Sequence, residues 1–384
     1  MNFSQRLWKL LPMTALLLSA ALIFFLALGW ACPAPQADTG ATEYAEYEKA
    51  KVVTILTDST EQDALSDNAW RGQQKLIMEV ITGRYAGTEM LVDNYIGPLT
   101  SPPLAEGEQA VIIISTYSDG STVASVFEYD RSTALVIMVV LFLGAAVLVG
   151  GKTGAKSLVG LAITLATLFL VLIPALMKGA PTLLSVFLAC AYITVVTLAI
   201  LGGLQKKTLC AMAATISGTA ISLLFGLLCQ SMLHLDGLRG DEVEALLNLN
   251  RDGVPIGLRG LLVGGIAIAS LGAVMDVTMG ICSAMQEVKE ANPEVGMKAL
   301  FRSGMNVGRD MVGTMTNTLI LALLGSSFTL ILYIYSMELL PHQLISSPYF
   351  SIEVLSSIAT SIGVILSIPL TALICAFVYT RRSK

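Results

Sequence analysis

The side chains best suited to chemistry lie in two stretches of an apolar chain. Gly265, Ala269, Gly272, Asp276, Gly280, Ser283 and Glu287 follow one another at steps of four, three, four, four, three and four, which places them on one helix face. The segment Gly304 to Asn317 puts Asn306, Asp310, Gly313 and Asn317 on another stripe, with Arg309 and Thr316 beside it. A carboxylate within hydrocarbon costs a few kcal/mol even on the lenient insertion scale, so Asp276 is expected to face protein or water and to have a partner. Arg309 is the expected partner and Asp310 its competitor, in an ion pair or network at the inner mouth of a helix bundle. Such a network can bind a substrate or ion, or relay a proton. The plain alternative is a clamp between two helices, with Gly265, Ala269, Gly272, Gly280 and Ser283 as the packing stripe.

The elements that must hold these residues are membrane helices. Of 384 residues, 54% are hydrophobic and 13% charged, where a soluble domain has about a quarter charged. Mean hydropathy is +0.73. Eight segments reach the twenty or so apolar residues that a bilayer core of about 30 Å requires: 11–28, 133–149, 158–177, 183–204, 209–228, 258–279, 312–335 and 358–379. Helix entry near Gly260 sets Asp276 about 24 Å deep, in the cytoplasmic third, and carries Glu287 beyond the bilayer. One set of loops holds Arg6, Lys9, Lys152, Lys156, Lys206, Lys207, Lys289, Lys298, Arg302, Arg381, Arg382 and Lys384, whereas the other holds Lys178, Arg239, Arg251 and Arg259. Basic residues resist translocation, so both termini are expected in the cytoplasm.

Residues 1–30 read as an uncleaved signal anchor, because Gly29-Trp30-Ala31-Cys32 fits neither a small-x-small cleavage site nor a good lipobox. Residues 31–131 have a different texture. A Pro/Ala-rich linker, Ala31 to Thr42, precedes β-branched runs at 51–57, 75–82, 89–95, 109–116 and 122–129. These predict five strands, with a hairpin at Ser118-Asp119-Gly120. The domain is expected outside the cell as an OB-like barrel or a small sandwich. Residues 132–384 then form a seven-helix membrane domain. Within it, Pro174 and Pro369 should kink their spans. Ala211, Thr215, Gly218, Ser222 and Gly226 give one span a small face for close packing. Leu235 to Ile256 is expected to carry a short amphipathic surface helix, and Pro293 to Gly304 another.

Five of six cysteines, Cys190, Cys210, Cys229, Cys282 and Cys375, fall in apolar runs and read as small hydrophobes; Cys32 lies outside them. His234 and His342 are far apart, so no metal site and no cofactor are expected. The formal charge of -5 is scattered, which gives no reason to expect nucleic acid. No H-E-x-x-H, Gly-x-Gly-Asp or G-x-x-x-x-G-K motif occurs, and no enzyme activity is expected.

The Gly-Ala-Val-Met-Asp run ending at Asp276, Glu287, the Gly304-Met-Asn-Val-Gly-Arg-Asp segment and Gly313-Thr-Met-Thr-Asn-Thr-Leu-Ile-Leu-Ala together resemble the YibE/F-like family of bacterial membrane proteins. Gly150-Gly151-Lys152, Ile173-Pro174 and Ser367-Ile-Pro369-Leu-Thr also match, whereas Thr278 and Met279 stand where small or apolar residues are usual. The resemblance runs from about Leu135 to the C-terminus. It implies a multi-pass protein of the bacterial inner membrane, with transport as the suggested role. On that reading Asp276, Glu287, Asn306, Arg309, Asp310, Thr316 and Asn317 line a substrate or ion path. The other reading is a scaffold or accessory subunit of an envelope complex. Beyond the lipid bilayer, the expected partners are a second copy of the chain or an envelope protein met through the outer domain.

Overall fold

The computed structural model describes residues 42–380 apart from residue 99 and residues 118–119, 237–245, 249–252 and 254–255. The first apolar run, the Pro/Ala-rich linker up to residue 41 and the two central hairpin residues Ser118 and Asp119 therefore lie outside the described residues, as does most of the 235–256 loop. The described chain falls into two compact units that meet in sequence between Ala145 and Ala146.

The first unit is a β-barrel. Its strands are β1 (Thr42–Asp58), β2 (Glu61–Asp63), β3 (Ala69–Val80), β4 (Glu89–Ile96), β5 (Gln109–Tyr117) and β6 (Thr122–Tyr129). All five expected strands form; the sequence reading missed the three-residue β2, the first nine residues of β1 and the start of β3. The order β1-β5-β6-β4-β3 closes through a β1–β3 pairing, and only β4 and β6 run parallel among the paired strands. That order and that single parallel pair are those of an OB-type barrel, which decides between barrel and sandwich. Closure depends on β1. Its first part pairs with β5 and its second with β3, and register shifts at Val52/Thr54 and Ile55/Thr57 let the strand bend between them. Alternate residues point inward, as the period of two requires: Leu76, Met78 and Val80 on β3 meet Ala110, Ile112 and Ile114 on β5.

Where β6 gives way to the first helix, Asp130 accepts a hydrogen bond from the Ser132 amide at 2.9 Å and pairs with Lys49 at 2.9 Å. Hydrogen bonding to Ser132, then to Lys49, holds its carboxyl at about 2. An unfolded aspartate titrates near 3.9, so the native carboxylate contributes stability fully above about pH 4 and loses it as pH falls through 2. Resistance of the barrel to pepsin should accordingly drop between about pH 4 and pH 2, and Asp130→Asn should flatten that drop.

The second unit is helical, and the helix that leads into it, α1, begins in the first unit. The helices are α1 (Ser132–Ala166), α2 (Ile173–Met177), α3 (Thr182–Gly202), α4 (Lys206–Met232), α5 (Leu261–Ala291), α6 (Met297–Ser326), α7 (Phe328–Ser336), α8 (Pro341–Ser346) and α9 (Pro348–Thr380). Among the described residues five helical stretches are long and apolar enough to cross a membrane, or six if the bent pair α6 and α7 is one span, as befits a membrane-embedded chain. Residues 133–149 and 158–177, expected as separate spans, are two helices within an apolar stretch of 46 residues. They meet at a sharp kink at the expected Gly150-Gly151-Lys152 turn, where Gly151 has φ 53° and ψ −133° and the chain bends so tightly that Gly154 comes against the Ala146 carbonyl, with no loop between the two. A π-helical turn over Thr167–Leu172 precedes Pro174, whose missing N–H relaxes the normal ladder there. Pro369 lies inside the continuous α9.

Two further expectations need correction. The surface helix expected over Pro293 to Gly304 is instead the first turns of α6, which runs unbroken from Met297. Gly304 and Gly308 do not end it, because they seat α6 against Met285 and Ile368. The span expected over 312–335 bends by 63° between α6 and α7.

The bundle core is α4, α5 and α9, flanked by α3 and α6. The small face expected on α4 packs as anticipated: Ala211, Thr215, Gly218, Ser222 and Gly226 are all buried. Gly218 and Gly363 bring α4 and α9 together, and the Ser222 hydroxyl donates to the Ala359 carbonyl at 2.8 Å.

Candidate functional site

The helices carrying the polar stripes are neighbours. Gly304 lies against Met285, Gly308 against Ile281, and a Cβ on Gly280 would meet the Met311 methyl at 3.2 Å. This antiparallel register sets Arg309 level with residues 280–281, about one helical turn from Asp276.

The stripes do not point where the sequence reading placed them. On α5 the buried residues include Val263, Ala267, Ser270, Val274, Val277, Ile281 and Met285. At about 100° per residue these occupy the face opposite Gly265, Ala269, Gly272 and Asp276, which are exposed, as is Glu287. Gly280 and Ser283 are half-buried. Among the described residues, Cβ atoms on Gly265 or Gly272 would meet nothing within 4 Å, whereas Gly280 packs against Met311, so of the five small residues only the lower end of the stripe is seen in helix packing. On α6, Asn306, Arg309, Asp310 and Asn317 are exposed, together with Gly313, Thr314 and Thr318. Thr316 is half-buried, and its hydroxyl is enclosed without a hydrogen-bond partner.

Among the described residues no ion pair joins Asp276 to Arg309 or Asp310. Among the described residues the expected network at the bundle mouth is therefore not formed. Instead polar groups stand exposed on both helices, Asp276 on α5 and Asn306, Asp310 and Asn317 on α6, with Arg309 turned further from the α5 contact. Such groups can hold ions or polar solutes, or accept another polar helix face.

The interior holds polar groups of its own. Thr215 and Thr278 share a hydrogen bond of 2.7 Å between α4 and α5, and the Thr371 hydroxyl donates to the Ser367 carbonyl at 2.6 Å. Cys282 and Cys375 place their sulfurs 3.1 Å apart, Cys210 hydrogen-bonds to Cys375, and the Tyr379 hydroxyl donates to the Cys282 carbonyl at 3.2 Å. The sequence reading took each cysteine singly. Their convergence from α4, α5 and α9 had only one signal, that each lies near the end of its helix carrying the basic loops. Among the described residues no group of three or more His, Cys, Asp or Glu side chains is arranged to hold a metal ion.

Comparison with curated proteins and with solved structures gives no match. The pattern of the family described as YibE/F-like protein matches residues 138–381. That stretch contains every helix from α3 to α9 and both stripes, so by the larger part of its length this chain belongs to the YibE/F-like family.

Proposed function

We propose that the protein is a transporter or channel for a small solute or ion in the bacterial inner membrane, with both termini cytoplasmic and the barrel outside. The observation that supports this reading is the exposed polar residues of α5 and α6, with Asp276 set among apolar residues near the middle of α5. A charge at that depth is costly, and membrane carboxylates of this kind mark ion or substrate pathways. Asn306, Arg309, Asp310, Thr316 and Asn317 extend the path along α6, and Glu287 stands at its inner end. No catalytic role is assigned to any of them.

Flux of ions and metabolites into vesicles containing the pure protein, with and without a pH gradient, tests the reading. Asp276→Asn should insert and fold normally while flux falls by about tenfold to a hundredfold, the size of a lost hydrogen bond to a charged group. Unchanged flux in that variant would remove the central residue of the proposal.

A scaffold role is the second reading, and the barrel favours it. Tyr47, Leu91, Tyr95, Val123 and Phe127 are exposed on the barrel surface, and the Tyr47 and Phe127 rings meet edge to face with centroids 5.0 Å apart. Exposed aromatic clusters of this sort suit protein partners. Under this reading Tyr95→Ser with Phe127→Ser should strip a co-purifying envelope protein, and vesicles of the pure parent protein should carry no flux.

A further inference from the structure

The two flanks of α6 carry different chemistry. At about 100° per residue, Lys298, Arg302 and Arg309 make one narrow strip along the helix, and Thr314 and Thr318 make another on its far side. Between the strips run Gly304 and Gly308, which seat α6 on Met285 and Ile281 of α5 and on Ala372 and Ile368 of α9. Met311 shows which strip borders α5. Its methyl lies against Gly280, and it is displaced from Gly308 toward the threonines and away from the bases.

On α5, Asp276 lies four residues before Gly280 and so only about 40° round from it, on the exposed side and away from buried Ile281. The antiparallel register sets Asp276 at the level of Thr314 and Met315, with Thr318 about one turn further along α6. Asp276, Thr314 and Thr318 are all exposed, and they border the same contact from its two helices. Arg309 stands on the other flank.

The threonine hydroxyls are already committed as donors. Thr314 donates to the Met311 carbonyl at 3.1 Å and Thr318 to the Thr314 carbonyl at 2.8 Å, so each oxygen keeps its lone pairs for an outside partner. An ionised carboxylate is likewise an acceptor only. Three acceptors with no proton to offer suit a cation, and oxygen ligands without sulfur or imidazole select a hard one. A single carboxylate balances one positive charge; a divalent ion would keep net charge at a depth where charge is costly.

We infer that this flank of α5 and α6 binds a hard monovalent cation, with the Asp276 carboxylate as counter-charge and the Thr314 and Thr318 hydroxyl oxygens as neutral ligands. The inference rests on the transport reading for its purpose, and gives that reading a substrate class.

Binding can be measured apart from flux. The purified full chain in detergent should retain radioactive sodium, or radioactive rubidium standing for potassium. The unlabelled ion should displace it, and choline at equal ionic strength should not. Thr314→Val and Thr318→Val each remove one oxygen and keep the shape, so each should weaken retention by about tenfold, and Asp276→Asn should abolish it. Both threonines are bonded only to their own helix, so their valine forms should fold whatever becomes of Asp276→Asn. Arg302→Gln, on the basic flank, should bind as the parent does.

The inference falls if the folded parent chain retains neither ion, or if both valine forms bind as tightly as the parent. It falls too if Arg302→Gln weakens binding as much as Thr314→Val. Cation binding by a protein whose vesicles carry no flux would sink the transport reading alone. Flux of an anion or a neutral solute, without cation binding, would sink this inference and leave that reading standing.

Discussion

Gly218→Leu should prevent the helical unit from assembling, while Gly272→Leu should leave the protomer folded. Both glycines sit in membrane helices, but their surroundings differ. A Cβ on Gly218 would lie 2.7 Å from the Val274 methyl and 2.8 Å from the Ser367 Cβ, and across the same contact a Cβ on Gly363 would lie 2.7 Å from that of Ser222. Neither neighbour is a flexible chain end, so α4 and α9 would have to separate. Overpacking a tight core by a methyl or two costs about 1–3 kcal/mol, which sets the scale for Gly218→Ala; Leu adds far more volume than that. Separation would also take Ser222 from the Ala359 carbonyl, leaving a buried pair of polar groups unmade. The measurement is the yield of monodisperse protein in detergent and its melting temperature. A Gly218→Leu chain that purifies and melts like the parent would mean that α4 and α9 are not in contact at this point.

The second large effect is expected in the barrel, at Gln74. This side chain is almost fully buried, and its amide uses all its hydrogen-bonding capacity: the oxygen accepts from the Leu104 amide at 2.9 Å and from Asn94 at 3.1 Å, and the nitrogen donates to Asp58 at 2.9 Å and to the Leu104 carbonyl at 3.2 Å. Asn94, also buried, donates in addition to the Pro102 carbonyl at 3.2 Å. Together they hold the segment before β5 against the barrel, with Leu104 plugged into its core. Gln74→Leu keeps most of the volume but orphans the Leu104 backbone and the Asn94 amide. Each buried orphan costs about 1–3 kcal/mol, so a loss of roughly 3 kcal/mol is expected, or about 15 °C for a domain of this size. The change should appear as faster proteolysis at residues 98–108 in the full-length protein. Gln74→Leu with Asn94→Leu should recover part of the loss, because removing both partners leaves fewer unmet groups than removing one.

These two sites show why the sequence was readable in one place and misleading in another. In water, alternation of apolar and polar residues reports inside and outside, so Leu76, Met78, Val80, Ala110, Ile112 and Ile114 announced both the strands and their inner face. Gln74 was not foreseen because a polar residue on an inward position breaks that rule, and only the spatial approach of Leu104 and Asn94 explains it. In a bilayer the rule itself fails, since lipid is as apolar as a protein core. The six steps from Val263 to Met285 along the buried side of α5 and the polar stripe on its opposite side are equally regular in the sequence. Charge in lipid is costly, so the sequence makes the stripe read as turned toward protein or water with a partner for Asp276, whereas the structure buries the apolar side of α5 and leaves Asp276 exposed. That α5 and α6 touch was legible from their shared polar content. Which way the contact faces was not, because it is fixed by Met285, Ile281 and Ile368 filling the notches at Gly304 and Gly308.

The barrel's strand pairing also decides how it bears load. Thr42, where β1 begins, pairs with Tyr117 at one end of β5, and Tyr129, where β6 finishes, pairs with Ala110 near the other. Pulling the chain from its two sides would therefore drag β1 and β6 lengthwise past β5 in opposite directions. Ladder bonds lie across the strands, so such a pull shears many at once instead of unzipping them singly. A pull on this domain from its two ends should therefore stretch the segments around it before the barrel yields.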